Sequence, residues 1–573
     1  MSKEKKINFD ILLYIFIPLI LFAIVDMPFV FYNNDDLYMK QIVSGELTGT
    51  PEAHLLHIGY LTGLFLSTLY KLFPPVPWYG ILLFSYGYLS IILSIYMCMK
   101  HIKKKTYRAP GTILVIFIAL SFTAIHLINI QFTTITAIVC AASIIFFYLS
   151  EETENIKDFL INNIPSFILF FLSLELRNTA CIMFLPTFLL LIIIKWARNH
   201  KLFKSLLAYF IILLSILTLS VVSEKIAYSS DQWSTFKTYN TSRSNIVDYS
   251  AFPDYQEYAE EYKSLDITYQ SYISVTNYQL LLDENINVHF MQRMEDLLPD
   301  SDFILREICS SFIERHTDSY ADRPLNLIVY ALYFFTILLI ILSKNKQNIW
   351  DVLALFCGRN IIWFYILYIG RPVTRVTQGI YVVELLMLLA ILLKNQPWKD
   401  FVLKKSLRNI FCIFSIACLL FISIKEGIPN TCAAIEQNKN YLLHSDAYQE
   451  AREYFYENED NLYLLDTMSF SYFYENIFSR TPASCNNFIL LGGWTANSPW
   501  ADSIIEQFGY SSYEEAVLKS DNVFFVFMNS EQTDYNYLID YFNEKYPNSS
   551  LIVTDTLQCS NGLEFLILQA QFE

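Results

Sequence analysis

Charge is scarce in this chain. Asp, Glu, Lys and Arg supply only 17% of its 573 residues, against 54% hydrophobic and 16% aromatic. That scarcity excludes an ordinary soluble enzyme and points to a polytopic membrane protein. The formal charge of −15 argues against nucleic acid as a partner. Cysteines are few, at ten, and none falls in a CxxC or with His at metal-ligand spacing. About six of them lie in apolar runs, where they act as small hydrophobes. Cys309, Cys432, Cys485 and Cys559 lie in polar segments, and the sequence leaves a disulfide among the last three open. No GxGxxG follows a strand-like run, so no nucleotide fingerprint is read. Long repeats and low-complexity tracts are absent. The first apolar run is too long for a removable signal peptide and has no cleavage site.

What the chain has instead is a series of apolar runs separated by short basic loops. Residues 11–31 are long enough to cross a bilayer, and Lys3, Lys5 and Lys6 before them set the N-terminus in the cytoplasm. Further spans are expected at 78–99, 110–129, 131–149, 160–176, 179–196, 204–222, 325–343, 349–369, 376–393 and 409–424. The run 54–71 is placed on the outer surface, because counting it as a span would send the Lys-rich loop after Met99 outside. The expectation is about eleven helices with the N-terminus inside and the C-terminus outside. Four regions follow: a transmembrane module 1–223 with its first outer loop at 32–77, an extracytoplasmic helical insertion 224–322, a second module 323–425, and an extracytoplasmic domain 426–573. In the last, short apolar runs at 461–466, 487–491, 522–528 and 550–554 alternate with helical stretches, and 563–569 reads as a final strand. That alternation predicts an α/β domain with a largely parallel sheet.

The chemistry is expected at the outer boundary. Asp35 and Asp36 emerge directly after the first apolar run, where carboxylates stay ionised yet within reach of a lipid-borne substrate. A short helix from Leu37, stopped by Gly45, is read after them. Arg371 and Arg375 lie four apart in a loop between two spans, and Arg177 tops another. Guanidinium groups make paired charged hydrogen bonds to phosphate, the chemistry expected of these three. The alternative for the pair is snorkelling to headgroups, and for Arg177 an ion pair with Glu175. Glu52, His54, His57, Arg243 and Asp248 are further substrate-binding candidates, with an Arg243–Asp248 ion pair as the alternative for the last two. Gly492–Trp494 reads as a structural turn.

The acid pair after the first span, the two short helices in the first outer loop and the many later spans resemble the GT-C glycosyltransferase superfamily. The long outer loop after the seventh span and the extracytoplasmic C-terminal domain extend the likeness; QFTT at 131–134, GRPVTRV at 370–376 and GGW at 492–494 look family-like without an assigned role. The sharp motif is Asn34-Asp35-Asp36 with the loop through His54. The resemblance implies transfer of a sugar from a polyprenyl-phosphate donor to an extracytoplasmic glycan or cell-envelope polysaccharide, normally with inversion. One of Asp35 and Asp36 would be the general base, and arginines would offset charge on the leaving phosphate. No cofactor is required; Mg or Mn is optional, since some members use one. A WWD-type signature is missing, which argues against protein N-glycosylation. The implied setting is a bacterial plasma membrane with the active site on its outer face. The rivals are a polysaccharide polymerase or ligase using lipid pyrophosphates, a lipid-linked sugar transporter with Asp26, Glu175 and Glu384 facing a polar path, and a non-catalytic glycan-binding surface protein.

Overall fold

The computed structural model describes residues 25–102, 105–299, 305–317, 320–402, 404–443, 445–530 and 535–572, with scattered positions between 16 and 23. Most of the expected first span, 11–31, therefore lies outside the described residues. Its end, strand β1 (Val30–Phe31), pairs in parallel with β2 (Asn129–Ile130).

Among the described residues, seven helices are long and apolar enough to cross a membrane: Trp78–Met99, Phe132–Leu149, Asn178–Arg198, His200–Ala227, Lys346–Tyr368, Thr374–Asn395 and Lys405–Glu457. The pair Ile156–Asn162 and Ile164–Leu176, bent by 53°, makes an eighth if counted as one span. Pro110–Thr123 and Leu325–Ile341 are apolar but shorter. Most of these helices keep greasy side chains on the outside, as a bilayer solvent requires. Phe132–Leu149 and Thr374–Asn395 are the most enclosed, with 94% and 89% of their apolar windows buried. They form the centre of the bundle. The run placed on the outer surface contains a 13-residue helix, Tyr60–Leu72, too short to span.

The helix α1 (Asn34–Ser44) begins three residues earlier than its sequence pattern suggests. The Asn33 side chain accepts from Asp36 N–H, so the acid pair lies in the first turn and not in a preceding loop. Gly45 ends it at φ +83°, and a Cβ there would sit 2.6 Å from Pro51 N. The helices named below are α2 (Trp78–Met99), α3 (Phe132–Leu149), α4 (Thr374–Asn395), α5 (Ile428–Leu443) and α6 (Ser445–Glu457).

The C-terminal region carries a five-stranded sheet in the order β4-β3-β5-β7-β6, with β3 Leu462–Leu465, β4 Phe488–Leu490, β5 Val523–Met528, β6 Ser549–Gln558 and β7 Glu564–Phe572. The first three strands are parallel, but β7 runs antiparallel to both β5 and β6. The largely parallel sheet expected from the sequence is thus a mixed one. The turn after β6 is too short for a crossover, and strands joined that tightly pair as a hairpin. The expected boundary at residue 426 falls inside helix: Lys405–Ile422 continues through a π-helical turn, Ser423–Gly427, into α5. The ten cysteines, all among the described residues, are unpaired.

The insertion packs on this sheet. Leu280 N–H donates to Leu491 O at 2.7 Å, Tyr541 O–H to Leu282 O at 2.9 Å, and Lys545 pairs with Asp283 at 3.0 Å. Two segments about two hundred residues apart in sequence thereby form one cover over the ends of the central helices.

Candidate functional site

Under that cover lies a cavity of about 480 Å³, walled by α1, the starts of α3 and α4, the insertion helix Asp231–Val247, and the loop after β4. Seven of the ten residues singled out from the sequence line it or border it closely: Asp35, His57, Arg177, Arg243, Asp248, Arg371 and Arg375. They come from five separate parts of the chain.

Asp35 and Asp36 part company because consecutive helical residues point about 100° apart. Asp35 faces the cavity. Its Oδ1 accepts from Trp494 Nε1–H at 3.1 Å, its Oδ2 accepts from Asn33 Nδ2–H at 3.1 Å, and Arg375 lies 3.8 Å from Oδ2. Asp36 turns into the protein and is fully buried. Its Oδ1 accepts from Tyr79 O–H at 2.9 Å and from Phe132 N–H at 3.3 Å. Burial holds its carboxyl well above the usual carboxylate range, against the pull of those two donors. It ties α1 to the first residues of α2 and α3, and it does not line the cavity.

The arginines approach from all sides. Arg371 follows Gly370, which takes φ +71° at the turn between two apolar helices. Its guanidinium lies 3.6 Å from Asp248 and over the Tyr249 ring at 4.7 Å. Arg243 meets Asp248 at 3.3 Å, the ion pair weighed from the sequence. Arg177 lies over the Phe132 ring at 4.9 Å and donates to Thr133 Oγ1. It is not paired with Glu175, which accepts from Ser220 O–H and from backbone donors of the first outer loop. Buried Arg375 Nε has no hydrogen-bond partner among the described residues. Four guanidiniums thus face two carboxylates, Asp35 and Asp248, leaving an excess of positive charge. The N-terminal ends of α1, α3 and α4 point into the same space and add to that field.

His57 stacks near the Phe132 ring at 5.9 Å and meets Trp494 edge-on at 4.9 Å. Burial, together with Arg177, Arg243 and Arg375, outweighs Asp35 and brings its pKa down to about 4. It is a neutral imidazole at pH 7.

Glu52 and His54 are not brought to the cavity. Glu52 accepts from His54 Nδ1 at 2.6 Å, and the His54 ring stacks on Trp233 at 4.3 Å with its Nε2 against Ala227 O. The contacts they make are structural: His54 clamps the first outer loop to the insertion, and Glu52 holds the His54 ring in place. Of the acids raised for a transport path, Glu175 and Glu384 have partners in the protein. Glu384 pairs with Arg359 at 2.9 Å and accepts from Tyr333, and Asp26 is exposed at a turn.

Sequence reasoning missed Trp494. Gly492 holds the turn before it, pressed so closely on the insertion that a Cβ would lie 1.6 Å from Tyr278 O. The family-like stretches at 131–134, 370–376 and 492–494 all end at this cavity through Phe132, Arg371, Arg375 and Trp494. Among the described residues, no group of three or more His, Cys, Asp or Glu is arranged to hold a metal ion. The two cavity carboxylates are each approached by arginine.

A scan against models of known protein families finds no match, and a search of curated proteins finds no relative.

Proposed function

We propose that this chain is a membrane glycosyltransferase of the GT-C type. It would take a sugar from a polyprenyl-phosphate donor and pass it to an extracytoplasmic glycan, in particular a cell-envelope polysaccharide. The reading includes about eleven spans in a bacterial plasma membrane, a cytoplasmic N-terminus and a site on the outer face. Seven apolar helices of spanning length support its membrane setting.

One observation carries the chemistry: Asp35 faces the same cavity as four arginines held by different elements. In this mechanism Asp35 accepts the proton of an acceptor hydroxyl, and the freed oxygen attacks the anomeric carbon. The bond from that carbon to the phosphate oxygen breaks, and the polyprenyl phosphate leaves with the electron pair. Arg177, Arg371 and Arg375 hold the phosphate and stabilise the charge growing on it. Trp494 and Asn33 fix the Asp35 carboxylate in a single orientation beside Arg375. Asp36 is left as the brace behind it.

The test uses purified protein, radiolabelled polyprenyl-phosphate sugars and extracted envelope polysaccharide. Transfer by wild type that Asp35→Asn abolishes, with fold and lipid binding intact, is expected. Full transfer by Asp35→Asn overturns the base assignment. The arginine excess also suits a pyrophosphate, so that outcome favours the second reading, a polymerase or ligase acting on lipid pyrophosphates through the arginines.

A further inference from the structure

The cavity around Asp35 is one end of a longer run of hollows. A cleft of about 620 Å³ opens between α6 and the loop 474–485 on the C-terminal domain. Tyr474 and Glu475 wall both this cleft and a smaller pocket of about 210 Å³. That pocket reaches Asn34, which also lines the main cavity beside Asp35. Shared lining residues therefore set the three hollows side by side, from the outer cleft to the candidate base.

The lining of the outer cleft differs in kind from the cavity. Arg452 and Arg480 are matched by Glu453 and Glu475, so it has no excess charge to hold a phosphate. It offers tyrosine instead: Tyr448 and Tyr474 in its walls, and Tyr456, 58% exposed, at its rim. Tyr474 is held in place by stacking on Tyr441 at 4.1 Å with the rings nearly parallel. Flat rings with polar groups around them suit a sugar, which has apolar C–H faces and a rim of hydroxyls.

The floor of the cleft is fixed to the helix that carries Asp35. Glu475 accepts from Lys40 of α1 at 2.8 and 3.0 Å, and Lys40 pairs with Glu46 at 2.6 Å. Arg452 lies 3.8 Å from Glu46 and donates to Ala483 O at 2.7 Å. Cleft and base share one rigid element. The cleft lies on the C-terminal domain, apart from the reacting cavity, so the part of an occupant held there lies outside the site of chemistry.

We infer that this run of hollows is the track for an extended glycan acceptor, several sugars long, whose end is delivered to Asp35. The inference rests on the transfer reading above and names where its acceptor lies. The outer cleft recognises the uncharged body of the glycan, while the cavity recognises phosphate.

The test uses the full-length protein in nanodiscs with envelope-polysaccharide fragments sorted by length, from single sugars upward. Binding is measured calorimetrically without donor, and transfer with donor. Wild type is compared with Tyr456→Ala and Arg480→Ala, both rim substitutions whose fold is checked by circular dichroism. Wild type is expected to prefer long fragments over single sugars, and Tyr456→Ala to shrink that preference about tenfold. Equal affinity for all lengths in wild type overturns the track, as does a length preference intact in both variants, or displacement of the fragments by lipid or peptide. Length-dependent binding that the variants weaken, without transfer by wild type, keeps the track and sinks the transfer reading. Transfer with no length preference does the reverse.

Discussion

Two charge clusters sit at opposite ends of α1, and they are built for different ends. At its C-terminal end, Lys40, Glu46, Glu475 and Arg452 form a balanced set, two cations and two anions, buried and mutually paired. At its N-terminal end, Asp35 and Asp248 are outnumbered two to one by arginines around an open cavity. Buried charge is tolerated when it is paired and hydrogen-bonded, and removing one partner is costly. Charge that is unbalanced beside a void is instead available to a ligand of the opposite sign. Residue types alone do not separate the two; the local balance and the space do.

That contrast can be broken from either side. The largest effect is expected at the cavity end: Asp35→Asn lowers transfer about 10²–10⁴-fold with little change in thermal stability. Lys40→Met should do the opposite. It strands Glu46 and Glu475 in the interior and costs about 3–5 kcal/mol of stability, read as a lowered unfolding midpoint in detergent. If Lys40→Met left stability unchanged, the C-terminal cluster would not be the brace described here.

Smaller changes sharpen the boundary between the two. Asp36→Asn keeps the Oδ1 acceptor for Tyr79 and Phe132 but buries an amide N–H₂ without partners, costing about 1–3 kcal/mol in stability. Transfer per folded molecule is expected to survive, and its loss would return Asp36 to the list of bases. Trp494→Phe keeps the ring packing on Tyr38 and His57 but deletes the donor to Asp35, with an expected drop of about tenfold in kcat.

The most gradual effect is in pH. His57 has its pKa lowered from 6.5 to about 4, so the folded protein refuses a proton that the unfolded chain accepts between those values. Stability therefore falls as pH drops through that window, by up to ~2 kcal/mol for a ring that partly lines the cavity. A His57→Gln variant should show a flatter profile over the same range. An unchanged profile would mean that burial and the arginines do not depress the pKa of this ring.

Much of the membrane part was legible in the run of residues. Apolar length and basic loops are local properties, and each helix of spanning length lies where hydropathy puts one. The strands at 462–465, 488–490 and 523–528 were equally visible as short apolar runs between helical stretches. The sheet's mixed direction was not, because pairing depends on partners far away in sequence. The acid pair and the arginines stood out as charges in an apolar context, yet Glu52 and His54 stood out just as strongly and turned out to clamp a loop.

The sequence by itself determined that the chain is rich in spanning-length apolar helices and that its acids and arginines cluster between them. Only the tertiary structure decided which of them meet. Asp35 and Asp36 are neighbours in sequence, but helical geometry sends one to the cavity and the other into the core. Trp494 lies 459 residues from Asp35, and only the packing of the C-terminal sheet on the insertion brings its N–H to that carboxylate. Contacts of that span are set by shape and burial summed over whole domains, which no local pattern of residues encodes.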